Sequence, residues 1–178
     1  MNRFLLPLGA FLLLAVVLAI GIKHSPEKGV IASPLVGRLA PQFSLPALSD
    51  PARQVRSADL KGHWYLFNVW GTWCAECRAE HPVLLKVQHA GIVPLIGLDW
   101  KDDAAQARQW LAQLGNPYAT VAVDASGRAA IEWGVYGAPE TFLVNPQGIV
   151  VYKHVGALTD DTWAREILPR VSAAAAGS

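Results

Sequence analysis

Trp64-Tyr65-Leu66-Phe67-Asn68-Val69-Trp70-Gly71-Thr72-Trp73-Cys74-Ala75-Glu76-Cys77-Arg78 is the segment around which the rest of the chain can be ordered. Its first seven residues make the apolar run of a strand buried on both faces. Gly71-Thr72 then forms a short turn, and a helical pattern begins at Cys74. A cysteine there caps the helix, where unpaired N–H groups and the positive end of the dipole stabilise a thiolate. Cys77 follows one turn later, close enough to attack a mixed disulfide on Cys74 and release a reduced substrate. These are the only two cysteines in the chain. Their spacing after a strand predicts a redox pair, with Cys74 as nucleophile and Cys77 as resolving thiol.

Three other readings of the pair are weaker. A structural disulfide across a two-residue gap closes a very small loop and constrains the unfolded chain little. A zinc site needs two further ligands, which would have to come from five scattered histidines. Covalent haem attachment wants His directly after the second cysteine, and Arg78 stands there.

The chain has 178 residues, with 15 Lys and Arg against 14 Asp and Glu. Near-balanced charge, with no basic run and no aromatic-basic interleaving, argues against nucleic acid as a partner. From Phe4 to Ile22 there are 19 uncharged residues, FLLPLGAFLLLAVVLAIGI, long enough to span a bilayer. A cleaved signal peptide is the alternative. The apolar part exceeds the usual length for one, and no small-x-small cleavage site precedes a polar start, so residues 1–22 are expected to be an uncleaved anchor. The flanking positive charge is small on both sides and leaves orientation nearly neutral. Residues 23–39, with Pro, Gly and Ser and no periodicity, read as a tether, unless Leu35 and Val36 already pack on the domain. Residues 40–172 suffice for one core, and 173–178 form an Ala-rich tail expected to fray.

Beyond the tether, Phe43–Leu45 and Val55 predict an opening hairpin, and Trp64–Trp70 the first strand of the central sheet. The helix from Cys74 to about Gly91 carries Pro82 as a predicted kink. A buried strand Ile92–Trp100 follows, then a helix opened by Asp102 and Asp103 and stopped at Leu114-Gly115-Asn116-Pro117. This βαβ unit implies a parallel pair. Val121–Val123 is a short strand and Ala129–Trp133 a helical turn. Thr141–Val144 and Ile149–His154 form a hairpin, and a last helix runs from about Asp160 to Ala173 behind the cap Thr159.

That order, with a C-x-x-C at the first helix and a proline just before a later strand, resembles the thioredoxin fold: α/β, a central mixed sheet flanked by helices, here behind an N-terminal transmembrane helix. Pro82 matches that fold's helix kink. More closely, the chain resembles the membrane-anchored thiol:disulfide interchange proteins of cytochrome c maturation, the group called CcmG or DsbE. The resemblance runs from about Ser33 to Arg170. It rests on SPLVGRLAPQFSLPAL, NVWGTWCAECRAEHP, Lys101-Asp102-Asp103, LGNPY at Leu114–Tyr118 and GVYGAPETFLVN at Gly134–Asn145.

The resemblance implies a protein-disulfide reductase without an organic cofactor, single-pass in the inner membrane with its C-terminal domain in the periplasm. Its expected substrate is apocytochrome c or a haem-handling maturation protein, and its expected electron donor a membrane thiol reductase of the DsbD or CcdA type. A related anchored reductase for copper-site or oxidase assembly, and a holdase that binds apocytochrome or haem without turnover, are the rival readings.

In the thioredoxin fold the proline matching Pro139 is cis and faces the dithiol, which leaves the backbone of Ala138 free to pair with an extended substrate. The buried acid of ordinary thioredoxins, six residues before the first cysteine, is replaced here by Asn68. Glu80, six residues after Cys74, is expected to take over proton transfer to Cys77; a solvated Glu paired with a cation is the alternative. Glu76 and Glu140 add negative charge near the sulfurs, which disfavours the thiolate and so favours electron donation; Arg78, His81 and the helix dipole act oppositely. Trp73 and Tyr136 are expected to flank the dithiol as an apolar shelf, whereas Trp64 and Trp110 read as core. Lys101-Asp102-Asp103 fits either a partner contact or a solvated helix start.

Overall fold

In the computed structural model, which describes residues 5–23 and 33–175, the chain divides into two units, Met1–Ala32 and Ser33–Ser178. The first contains α1 (Leu5–Lys23), whose side chains are described over residues 7–18 and include exposed Leu8, Phe11 and Leu18. Among the described residues no helix is long and apolar enough to cross a membrane. Part of the expected anchor, residues 1–4, lies outside them.

The expected tether ends sooner than residue 39. Residues 24–32 lie outside the described part, but 33–39 already belong to the second unit. Gly37 N–H donates to Val150 O at 2.8 Å, Val150 N–H to Arg38 O at 2.9 Å, and Leu39 bridges Ile149. Leu35 packs on the core while Val36 stays exposed. This segment satisfies the N-terminal part of a sheet edge that would otherwise be open.

The sheet has the order β5-β4-β3-β6-β7. Its strands are β3 (Tyr65–Trp70), β4 (Leu95–Trp100), β5 (Thr120–Asp124), β6 (Glu140–Val144) and β7 (Val150–Val155). β3, β4 and β5 run parallel, and β6 and β7 are antiparallel additions. The opening hairpin, β1 (Ser44–Pro46) with β2 (Gln54–Arg56), pairs separately, and Leu48 N–H reaches Val121 O at 2.9 Å beside β5. β4 starts three residues later than the apolar run suggests. Pro94 has no N–H for the ladder, and its carbonyl accepts from Leu66 instead.

Side-chain alternation along β3 separates two cores. Leu66 and Trp70 face α2 (Ala75–Ala90) and α3 (Ala104–Leu114), in one cluster with Cys74, Cys77, Leu84, Trp110 and Tyr118. Tyr65, Phe67 and Val69 face the other side, with Phe43, Phe142 and Trp133, the residue just after α4 (Arg128–Glu132). There Phe67 stacks on Trp133 at 4.1 Å between ring centroids, and Phe142 meets Trp133 edge-on at 5.0 Å.

The last helix is not uniform. α5 (Asp160–Thr162) is followed by a π-helical turn, Trp163–Ile167, and α6 (Leu168–Ala175). Pro169 cannot donate to Arg165, and the wider turn absorbs the missing bond. Thr159 caps the start as expected, its Oγ1 accepting from Thr162 N–H at 3.1 Å. Helix extends through Ala175, into the start of the expected tail, and residues 176–178 lie outside the described part.

Candidate active site

β3 is buried along its whole length and ends at Trp70, so the chain emerges onto the Gly71–Thr72 turn in a fixed direction. Cys74 then takes the N-cap position of α2 with extended backbone, and its sulfur accepts from Cys77 N–H at 3.0 Å. The two sulfurs form a disulfide. Cys74 is 6 % exposed and Cys77 2 %. Both sulfurs are therefore buried in this oxidised form, Cys74 the less deeply.

Glu80 lies one turn beyond Cys77 and is 1 % exposed, which removes the solvated reading. Asn68 Nδ2 donates to its Oε1 at 2.9 Å, and Leu158 N–H to its Oε2 at 2.7 Å. Asn68 in turn donates to Thr141 Oγ1 and accepts from the Tyr118 hydroxyl at 2.7 Å. Among the described residues no ion pair compensates the carboxylate. Burial pushes the Glu80 pKa up to about 7, with Glu76 adding to the rise and the two donors opposing it. A carboxyl so poised can both hold and release a proton at neutral pH.

On the other side of β3, the register places Glu140 beside Val69 and Thr141 beside Asn68. The Ala138–Pro139 bond just before them is cis, as expected. Ala138 packs against the cluster containing both cysteines. Trp73 and Tyr136 are exposed, and neither ring is loose. Trp73 Nε1 donates to Trp100 O at 3.2 Å, and the Tyr136 ring lies over Lys153 Nζ at 4.8 Å.

The Redoxin family model matches residues 35–168. Over 165 residues the chain is 46% identical to the thiol:disulfide interchange protein DsbE of Pseudomonas aeruginosa, covering 93% of this chain and 90% of that one. It is 44% identical over 171 residues to DsbE of Allochromatium vinosum, covering 96% and 93%. The chain belongs to the DsbE family of thiol:disulfide interchange proteins. A crystal structure from Chlorobium tepidum, described as of a DsbE-type protein, superposes with a TM-score of 0.64 at 28% identity, covering 77% of this chain and 94% of that one. The enzyme class follows: a thioredoxin-like thiol:disulfide oxidoreductase, with Cys74 and Cys77 present as a bonded pair.

Within this DsbE-type site, two charges differ from the sequence expectation. Glu140 does not act as a free negative charge: it is fully buried and ion-paired to Lys153 Nζ at 2.8 Å, while its Oε1 accepts from Tyr136 N–H. Lys153 also donates to Gly134 O at 3.0 Å, so one ammonium ties β7 to both ends of the Gly134–Glu140 loop. His81 does not act as a cation. Burial, chiefly, lowers its pKa, and its Nε2 lies 3.0 Å from Gly115 O while its ring meets Trp110 edge-on. Glu76 and Arg78 remain as the exposed charges of the first helical turn, so local charge does not by itself set the direction of electron flow.

The sequence reading also missed the role of Asp102. Its Oδ1 accepts from Thr72 Oγ1 at 2.8 Å and its Oδ2 from Thr72 N–H, so it grips the turn in front of Cys74. Asp103 is the N-cap of α3, bonding Ala105 and Gln106 N–H. The only signal for Asp102 was its place at the end of a strand adjacent to β3.

Proposed function

We propose that this protein is a membrane-anchored periplasmic reductant of cysteine pairs in apocytochrome c, or in a haem-handling partner, during cytochrome c maturation. The observation that carries this reading is the DsbE-type dithiol at the start of α2 with a proton-poised carboxyl, Glu80, sealed one turn behind it. The apolar run Phe4–Ile22 supports attachment to the inner membrane.

The reaction moves two electrons. Cys74 thiolate attacks one sulfur of the substrate disulfide; that S–S bond breaks, and the departing substrate thiolate takes a proton. Cys77 gives its proton to Glu80 and attacks the Cys74 sulfur. The intermolecular bond breaks, the second substrate thiolate leaves and is protonated, and the enzyme is left as the Cys74–Cys77 disulfide. A membrane thiol reductase of the DsbD or CcdA type returns the two electrons by the same exchange in reverse. Trp73 and Tyr136 offer held aromatic surfaces to the substrate, and the backbone at Ala138-Pro139 offers it a pairing edge.

Cys77→Ser tests the assignment by halting exchange at the mixed disulfide. Expressed in full length and quenched with acid, the variant should carry apocytochrome c or a haem-handling maturation protein bonded through Cys74. A trapped population containing neither rejects the substrate assignment.

A further inference from the structure

Asp99, on β4, is a buried acid that the exchange chemistry leaves unused. Its side chain lies on the dithiol face of the sheet, beside Trp70, its register partner at the end of β3. It is fully buried, and among the described residues neither carboxyl oxygen has a hydrogen-bond donor. The carboxyl that acts on it, by charge and by side-chain hydrogen bonding, is that of Asp102, already committed to Thr72 through both oxygens and to Asp103 N–H.

The groups facing Asp99 supply no compensating cation. Asp102 and Asp103 come from the β4–α3 connection, and Trp70 from β3. Tyr118 comes from the segment before β5, its hydroxyl spent on Asn68, with Glu80 of α2 beyond. Lys101 turns away over the Trp100 ring, Arg78 lies over Trp110, and His81 is taken by Gly115 O. Two ionised carboxylates in such a place repel with nothing between them, whereas one proton converts the clash into an O–H···O bond. Burial, reinforced by Asp102 and Asp103, pushes Asp99 up to about 8, so the proton is present at neutral pH.

We propose that Asp99 is a positioning residue for the redox turn: holding a proton, it donates to Asp102 and so seats Asp102 on Thr72, fixing Gly71–Thr72 ahead of Cys74. Asp99 acts through Asp102 and touches neither sulfur's chemistry directly. When it ionises, Asp102 is pushed off Thr72, and the turn loses its grip from β4.

The test is amide hydrogen exchange at Thr72 in the oxidised full-length protein, expressed as a protection factor so that intrinsic base catalysis cancels. Wild-type protection should fall on the order of tenfold between about pH 7 and pH 9.5. Asp99→Asn, with a permanent N–H donor, should match the wild type near neutrality and stay flat with pH. Asp99→Leu, with no donor, should be poorly protected throughout, also without pH dependence. Thr72 protection reads the turn and not turnover, so the outcome stands apart from the substrate assignment. A flat wild-type profile, or an Asn variant that falls with the wild type, overturns the proposal.

Discussion

On one side of β3, Tyr65, Phe67 and Val69 meet rings and methyl groups; on the other, Leu66 and Trp70 flank Asn68, whose amide binds Glu80, Thr141 and Tyr118. The first environment is held by stacked aromatics, Phe67 on Trp133 and Trp133 against Phe142. The second encloses two acids, Glu80 and Asp99, whose carboxyls burial keeps reluctant to ionise. The contrast assigns stability to one surface of the sheet and chemistry to the other. A strand six residues long serves both because consecutive side chains point opposite ways.

Substitutions on the two faces should therefore separate activity from stability. Cys74→Ser, which keeps an acceptor for the Cys77 N–H at the N-cap, should reduce turnover of a model disulfide to the uncatalysed background while leaving the thermal midpoint of the reduced protein nearly unchanged. Phe67→Ala should do the reverse. Losing the ring from between Phe43, Trp133 and Phe142 costs about 3–5 kcal/mol in urea unfolding, with exchange per folded molecule intact. A fall in exchange as large as the fall in stability would break the division.

Lys153→Met tests the boundary between the faces, where the Glu140 pair sits. It leaves a buried carboxylate alone and should cost roughly 3–5 kcal/mol; adding Glu140→Gln should recover most of that, a coupling that a double-mutant cycle reads directly. Glu80→Gln should slow substrate release from the Cys77 step by about a hundredfold, measured by stopped-flow, and flatten its pH dependence near neutrality.

Glu80 also bears on stability. In the fold it titrates at about 7 against 4.5 when free. Between those values the native state keeps a proton that the unfolded chain has lost, so stability falls as pH rises. The slope is up to about 1.4 kcal/mol per pH unit. Urea midpoints from pH 4.5 to 7 should show a shallower decline in Glu80→Gln. Asp99, raised from 3.8 to about 8, adds a decline of the same sign that Asp99→Asn should remove, while His81, whose pKa burial lowers, acts oppositely as pH rises toward its ordinary value.

The parts of this arrangement that were legible beforehand are those encoded locally. The apolar run of β3, the Gly71–Thr72 turn and the cysteine spacing fixed a strand–turn–helix unit without distant information, and Thr159 announced the last helix by its own side chain. Pro139 was read correctly as cis through family resemblance. The polar interior was hidden because its partners are remote in sequence: Glu80 is held by residues 12 positions before it and 78 after it. Glu140 looked like a free charge because its counter-ion sits on the next strand, and Asp102 looked like an ordinary helix start. Proximity created by the sheet, not the residue type, decided each of those roles.

The bond from Leu158 N–H to Glu80 has a further implication for how much of the polypeptide the catalyst needs. That amide sits just ahead of the last helix, far along the chain from both cysteines, yet it supplies one of the two donors steadying the acid. A chain ending before Leu158 would forfeit more than packing. Its acid would be harder to ionise and its exchange profile would move toward alkaline conditions, so the length of the C-terminus becomes a tuning element for the dithiol.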